Sequence, residues 1–131
     1  MWTHTLEPRF AETDALGHVN NTVLPVWFEE SRTPIFKLFC PGLDINDWHL
    51  IIAKIEVEFL AEIYYGKPVE IRTYMKKIGN SSMQVGHEAW QDGVLAATGS
   101  AVMIHFDHEN KSSKAIPAEI KATLEQHLKA D

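Results

Sequence analysis

The sequence predicts an α+β domain in which one apolar helix is wrapped by a curved antiparallel sheet. Three observations carry that reading. Residues 21–39 show helical spacing with an unusually wide apolar face, four strand-like segments follow between residues 53 and 106 with short turns between them, and a short helical pattern closes the chain. A helix that apolar needs a sheet around it, not a surface beneath it.

The elements follow in order. Residues 2–11 read as a first strand, with Pro8 marking an edge or an end. The helix of 21–39 carries apolar residues at 23, 26, 27, 35 and 38, with a second set at 24, 28, 35 and 39. Pro25 is tolerable within a first turn, whereas Pro34 predicts a kink or break near Glu30. "CPGLD" at 40–44 ends the segment. "AKIEVEF" at 53–59 alternates strictly, with Ala53, Ile55, Val57 and Phe59 on one face, as a half-buried strand does. Strands over 69–78, 82–91 and 94–106 follow, the last with Gly99 as a candidate bulge. The "DG" at 92–93 is a strong hairpin signal. The stretch from Ile116 to Ala130 reads as a terminal helix with Pro117 near its start. One long central helix in a curved five-stranded antiparallel sheet, with a short C-terminal helix, is the hotdog arrangement. Such a sheet leaves an edge strand that needs cover, and pairing two copies edge to edge supplies it.

Composition narrows the function. A chain of 131 residues, 45% apolar and 23% charged, is expected to form a single domain over 1–131 with a proper core. The net charge of −6 without a basic run argues against nucleic-acid binding. The single cysteine, Cys40, allows no internal disulfide and fits a reducing compartment. The opening "MWTHTLEPRF" does not read as a signal peptide, and the longest aliphatic runs are too short to span a membrane. A cytoplasmic location is the expectation.

The chemistry concentrates in "RFAETDALGHVNN", residues 9–21, between the first strand and the helix. A helix starting near 20–22 leaves backbone N–H groups without internal partners, at the positive end of its dipole. Such a terminus binds anions or stabilises charge growing on a carbonyl oxygen. Asp14, on a loop held by Gly17, fits either a turn cap or a group that activates water or attacks directly. His18 fits a structural histidine or a second acid/base. Asn20 and Asn21 are residue types that helix caps prefer. Trp27 and Phe28 suit a core or a pocket wall. Elsewhere the signals thin out. His105 and His108 lack the further ligands a metal site needs, and no metal or other cofactor is expected. Glu29, Glu30 and Arg32 read as a solvated or ion-paired strip, and Cys40 as a small buried residue. Ser81, Ser82 and Ser100 stand outside any G-x-S-x-G elbow, and no phosphate loop or dinucleotide-binding glycine pattern occurs.

At "ETDALGHVNNTVLPVWFEESR" the chain resembles the 4-hydroxybenzoyl-CoA thioesterase family of hotdog proteins. The match covers Thr13, Asp14, Gly17, His18, Val19, Asn20 and Asn21, then Phe28, Glu29, Glu30 and Arg32. The later strands and the closing "AIPAEI" fit as well. The resemblance implies an acyl-CoA thioesterase in which Asp14 is nucleophile or general base. It places the Asn21 N–H where the thioester carbonyl is polarised, and has Gly17 and His18 shape the approach. Asp14, Asn21 and His18 are thus the catalytic candidates, and Gly17, Asn20, Leu24, Trp27 and Ser82 the substrate-binding ones. It also implies a site at a homodimer interface, in a dimer or tetramer, with the CoA nucleotide on surface basic residues such as Lys76 and Lys77. Acyl-carrier-protein thioesterases share "HVNN", so that carrier is an alternative to CoA. The family usually has Tyr where this chain has Leu24, followed here by Pro25, which alters the first helical turn. Two other functions fit the same residues: a hydratase or dehydratase using Asp14 and His18, and a non-catalytic acyl-CoA-binding module.

Overall fold

The computed structural model describes residues 1–129. Its sheet runs β1 (Trp2–Leu6), β2 (Leu50–Phe59), β3 (Val69–Ile78), β4 (Ser82–Gln91) and β5 (Val94–Asp107) in sequence. In space the order is β1-β3-β4-β5-β2, all antiparallel, with the two-residue β6 (Ser112–Ser113) paired to the end of β5. The first strand is shorter than the 2–11 expected. It stops before Pro8, and residues 10–12 wind into a single 3₁₀ turn instead. Between β4 and β5, Asp92 and Gly93 both adopt positive φ, 52° and 74°, the conformation of a two-residue hairpin turn whose twist suits the flanking strands.

The expected long central helix is two helices, α1 (Val23–Ser31) and α2 (Thr33–Phe39), which meet at Arg32. The reason lies in the prolines. Pro25 occupies the first turn of α1, where its missing N–H costs nothing, and Pro34 occupies the first turn of α2. A single helix through Pro34 would have lost a hydrogen bond and clashed with the preceding turn. The break falls two residues after the expected Glu30. The Thr33 hydroxyl takes up one carbonyl there, donating to Glu30 O at 2.6 Å. The terminal helix α3 (Ala118–Glu125) is shorter than the pattern suggested. Residues 127–129 turn to run beside Met75, whose N–H donates to His127 O at 2.8 Å. Ala130, at the end of the expected helix, lies outside the described residues.

Two apolar clusters hold the layers together. One gathers Leu24, Trp27 and Phe28 of α1 against Val69, Ile71, Ala89, Ala96 and Ala97 of the sheet. The other gathers Ile35 of α2 and Leu124 of α3 against Leu50, Met75, Met83, Val85 and Met103. Each large side chain so buried contributes about 1.5–3 kcal/mol. Gly99 is not a bulge; it pairs in register with Val57 and His87. A Cβ there would stand 2.6 Å from the Phe28 ring, so its glycine lets α1 approach the sheet.

The strand β2 departs from the half-buried reading. A bulge at Ala53 puts Ile52 on the same face as Ile55, Val57 and Phe59. The face is the one turned towards the helices, yet Ile52, Ile55 and Phe59 are each slightly more than half exposed. The helices cover the middle of the sheet and leave its β2 edge open.

Candidate active site

The loop from Glu12 to the start of α1 is built by its own polar groups. The Asp14 carboxylate accepts from the Leu16 N–H at 2.9 Å and the His18 N–H at 3.3 Å, both through Oδ1. The Gly17 N–H donates to Asp14 O at 3.1 Å, and Gly17 sits at φ 81°, where a side chain would be strained. The turn-cap reading of Asp14 is what these bonds show. One oxygen shapes the turn, and Oδ2 makes no hydrogen bond to another described residue. Beneath the loop lies Glu12, buried, which accepts from the Arg9 N–H at 2.7 Å and from the Trp27 indole N–H at 2.9 Å. Its carbonyl takes the Asn20 N–H at 2.8 Å. Glu12 thus ties the 3₁₀ turn, the loop and α1 into one unit.

The start of α1 is open. Asn20 Oδ1 accepts from the Thr22 N–H at 3.0 Å and the Thr22 hydroxyl at 2.9 Å, so the Asn20 side chain caps the turn. The Asn21 N–H has no acceptor among the described residues, and the first turn of α1 holds no acidic side chain. The positive end of the dipole is uncompensated there. Asp14, Asn20, Asn21 and Leu24 line one wall of a crevice of about 610 Å³. Phe59–Ile63 and the Ala96–Ala97 pair form the other. Ala96 is the extra residue of a bulge in β5, and its carbonyl accepts both the Leu60 N–H at 2.8 Å and the Ala61 N–H at 3.0 Å. That bulge fixes the far wall opposite the helix start.

The other candidates fall elsewhere. The His18 imidazole faces Glu62 at 3.3 Å and meets Tyr64 edge-on, and it is not among the side chains lining the crevice. Trp27 is core, 3% exposed, with its indole N–H spent on Glu12. Ser82 begins β4 opposite Ile104, seven residues along β5 from Ala97, so the structure does not bring it to the crevice. Lys76 lies on the face of the sheet turned away from the helices, with Glu56 and Ser100. His105 is buried and hydrogen-bonds Ala115 O at 3.0 Å.

Arg32 is the clearest correction. It is not part of a solvated strip but 5% exposed, at the junction of α1 and α2. Its guanidinium donates to His87 Nε2 at 3.2 Å. A guanidinium has only donors, so His87 carries its proton on Nδ1 and donates to the Thr73 hydroxyl at 2.9 Å. Burial and the adjacent Arg32 charge push the His87 pKa down to about 3, so the imidazole is neutral. Burial likewise lowers the Arg32 pKa, partly offset by Glu29. The signal for this cluster was in the strands. Thr73 sits between Ile71 and Met75, and His87 between Val85 and Ala89, polar residues at inward positions of an alternating pattern.

Comparison with known proteins places this geometry. A Bacillus stearothermophilus structure described as a predicted thioesterase is 38% identical, with a TM-score of 0.94 over 99% of this chain and 98% of its own. A Thermus thermophilus thioesterase complexed with coenzyme A and zinc is 27% identical, with a TM-score of 0.82 over 93% of this chain and 95% of its own. The uncharacterized Bacillus subtilis protein YsmA is 26% identical over 117 residues, 88% of this chain and 80% of YsmA. The thioesterase-like superfamily matches residues 8–124, a span that takes in the Asp14 turn, the helix start and both walls of the crevice. On that match the chain belongs to the thioesterase-like superfamily.

Proposed function

We propose that the protein hydrolyses acyl-CoA thioesters, with Asp14 as nucleophile or general base and the helix N-terminus at Asn21 polarising the carbonyl. The observation that carries this is the meeting of three features in one crevice: an exposed carboxylate, an unpaired N–H and an uncompensated helix dipole. In the general-base form, Asp14 takes a proton from water and the hydroxide adds to the thioester carbon. The oxyanion so formed accepts the Asn21 N–H, the C–S bond breaks, and the thiolate leaves to be protonated from solvent. A preorganised donor of this kind is worth about 2.7–4 kcal/mol in the transition state. Leu24, 2% exposed, and the alanine pair give the acyl chain an apolar seat beside the helix. The coenzyme A bound by the Thermus relative supports the choice of carrier.

Asp14→Asn separates the two jobs of this side chain. The amide keeps an oxygen to accept from Leu16 and His18 but cannot act as a base. Turnover of acyl-CoAs, followed by thiol release, is expected to fall by about 10²–10⁴-fold while the melting temperature stays near that of the parent. Undiminished turnover would remove Asp14 from the mechanism.

The open β2 edge supports a homodimer in which two copies pair along β2. Ile52, Ile55 and Phe59 would then lose their exposure, and the unpaired edge its hydrogen-bonding groups. Ile55→Glu is expected to shift sedimentation from dimer to monomer.

A further inference from the structure

The far wall of the crevice is apolar with one exception. Of Phe59–Ile63 and the Ala96–Ala97 pair, only Glu62 has a polar side chain. The chain is pinned on both sides of it. The Leu60 and Ala61 N–H groups donate to Ala96 O, Ile63 O accepts from the Val19 N–H at 2.8 Å, and the Tyr64 N–H donates to Gln91 Oε1 at 2.9 Å. Gln91, buried, returns a bond from Nε2 to Tyr64 O at 2.9 Å. The Glu62 side chain is 58% exposed, and its Oε2 faces His18 Nδ1 at 3.3 Å. Its Oε1 meets no partner among the described residues.

His18 joins this carboxylate to Asp14. Its backbone N–H donates to Asp14 Oδ1 at 3.3 Å, its carbonyl accepts from the Asp14 N–H at 2.8 Å, and its ring stands against Glu62. One residue thus touches both of the charged side chains that line the crevice, and each keeps one oxygen free, Oδ2 of Asp14 and Oε1 of Glu62. An attacking water has two O–H bonds. Asp14 takes one proton, and the other O–H needs an acceptor that turns the oxygen lone pair towards the thioester carbon. On the near wall, Asn20 Oδ1 already accepts twice from Thr22, and the Asn21 side chain shares that wall with Asp14. Across the crevice, the Glu62 carboxylate is the one side-chain acceptor.

We propose that Glu62 is a second catalytic residue, whose Oε1 accepts the second O–H of the water that Asp14 deprotonates, and that His18 is the positioning residue that holds it there. The inference rests on the thioesterase reading above, in its general-base form. Water held between the walls gives one proton to Asp14 Oδ2. The hydroxide so formed adds to the carbonyl carbon while its remaining O–H stays on Glu62, and the C–S bond then breaks as described above. A carboxylate accepts such a bond more strongly than a neutral group does. His18 acts through Glu62 and does not touch the substrate, which accords with its place outside the crevice lining.

Glu62→Ala tests this by thiol release from acyl-CoAs, since the side chain is exposed enough for the fold to survive its loss. The kcat is expected to fall about 10²-fold, the scale of a misplaced reactant, with KM unchanged. Added formate, a carboxylate small enough for the space vacated, is expected to return part of that kcat in Glu62→Ala and none in Glu62→Gln, where the space is filled. His18→Ala is expected to lower kcat in the parent background and to add nothing to Glu62→Ala. A parent-level kcat in Glu62→Ala overturns the proposal. So does a loss carried by KM alone, or a fall in kcat that formate leaves untouched. A His18→Ala loss that adds in full to that of Glu62→Ala overturns the role given to His18. Each of these outcomes, with the parent turning over, leaves the thioesterase reading standing. A parent without turnover overturns both.

Discussion

The two halves of the helical layer are packed by different rules. Around α1 the sheet offers small residues, Ala89, Ala96, Ala97 and Gly99, and the layer stays open along β2. Around α2 it offers Met75, Met83 and Met103, and α3 closes the space with Leu124. Methionine is flexible and fills irregular gaps, whereas alanine and glycine leave room. The first half carries the crevice at Asn21, and the second carries the larger side chains of the core. Arg32, at the seam, belongs to both: its backbone ends α1 and its guanidinium reaches the sheet through His87.

The largest expected effect tests the seam. The folded pKa of His87, about 3, lies below its unfolded value of about 6.5, so the unfolded chain binds the proton first. The contribution is complete above pH ~6.5 and is lost as pH falls towards 3, up to a limit of roughly 5 kcal/mol. His105 and His127, also held below their ordinary values by burial, act with the same sign. Chemical denaturation at pH 7 and pH 5 should show the fall. His87→Gln, which offers Arg32 a carbonyl and Thr73 an N–H, should flatten it; an equally steep loss in that variant would place the titration elsewhere. Next comes the closed half. Ile35, fully buried on α2, should cost about 2–5 kcal/mol when changed to alanine, read from the urea midpoint. Thiol-release activity measured well below that midpoint should change far less, since Ile35 is remote from the crevice at Asn21. If activity falls in step with stability, the two halves are one unit and the division is wrong. The smallest effect concerns the open half. Gly99→Ala puts a methyl 2.6 Å from the Phe28 ring and should cost about 1–3 kcal/mol. Here the activity should fall more than the stability does, because displacing the Phe28 ring shifts α1, whose first turn carries Leu24 in the crevice wall.

Much of this was legible beforehand because period-2 and 3.6 patterns survive in a single chain. The bounds of β3 and β4 followed from their turns, and the Asp92–Gly93 turn from its residue types. The helix break followed from Pro34, though its position did not, because capping by the Thr33 hydroxyl decides it. Asp14, Asn20, Asn21 and Leu24 were legible because they are close in sequence. The far wall was not. Phe59–Ile63 and Ala96–Ala97 reach the crevice only through strand order and a bulge, which no local pattern records. Arg32 was misread for a related reason. A charged residue on a helix is solvated by default, and only its partners across the sheet, Thr73 and His87, show otherwise.

The bulge at Ala53 has a consequence for how this chain tolerates change in length. Before it, the even-numbered residues Leu50 and Ile52 face the helices; after it, the odd-numbered Ile55, Val57 and Phe59 do. The parity of the strand flips at one unpaired residue. An insertion or deletion elsewhere in β2 would turn the downstream side chains inside out, exchanging the crevice wall for Glu56 and Glu58. Removing Ala53 itself would leave every neighbour on its own side and only straighten the ladder. A single alanine thus serves as the slack in a strand whose phase is otherwise fixed by its pairing with β5.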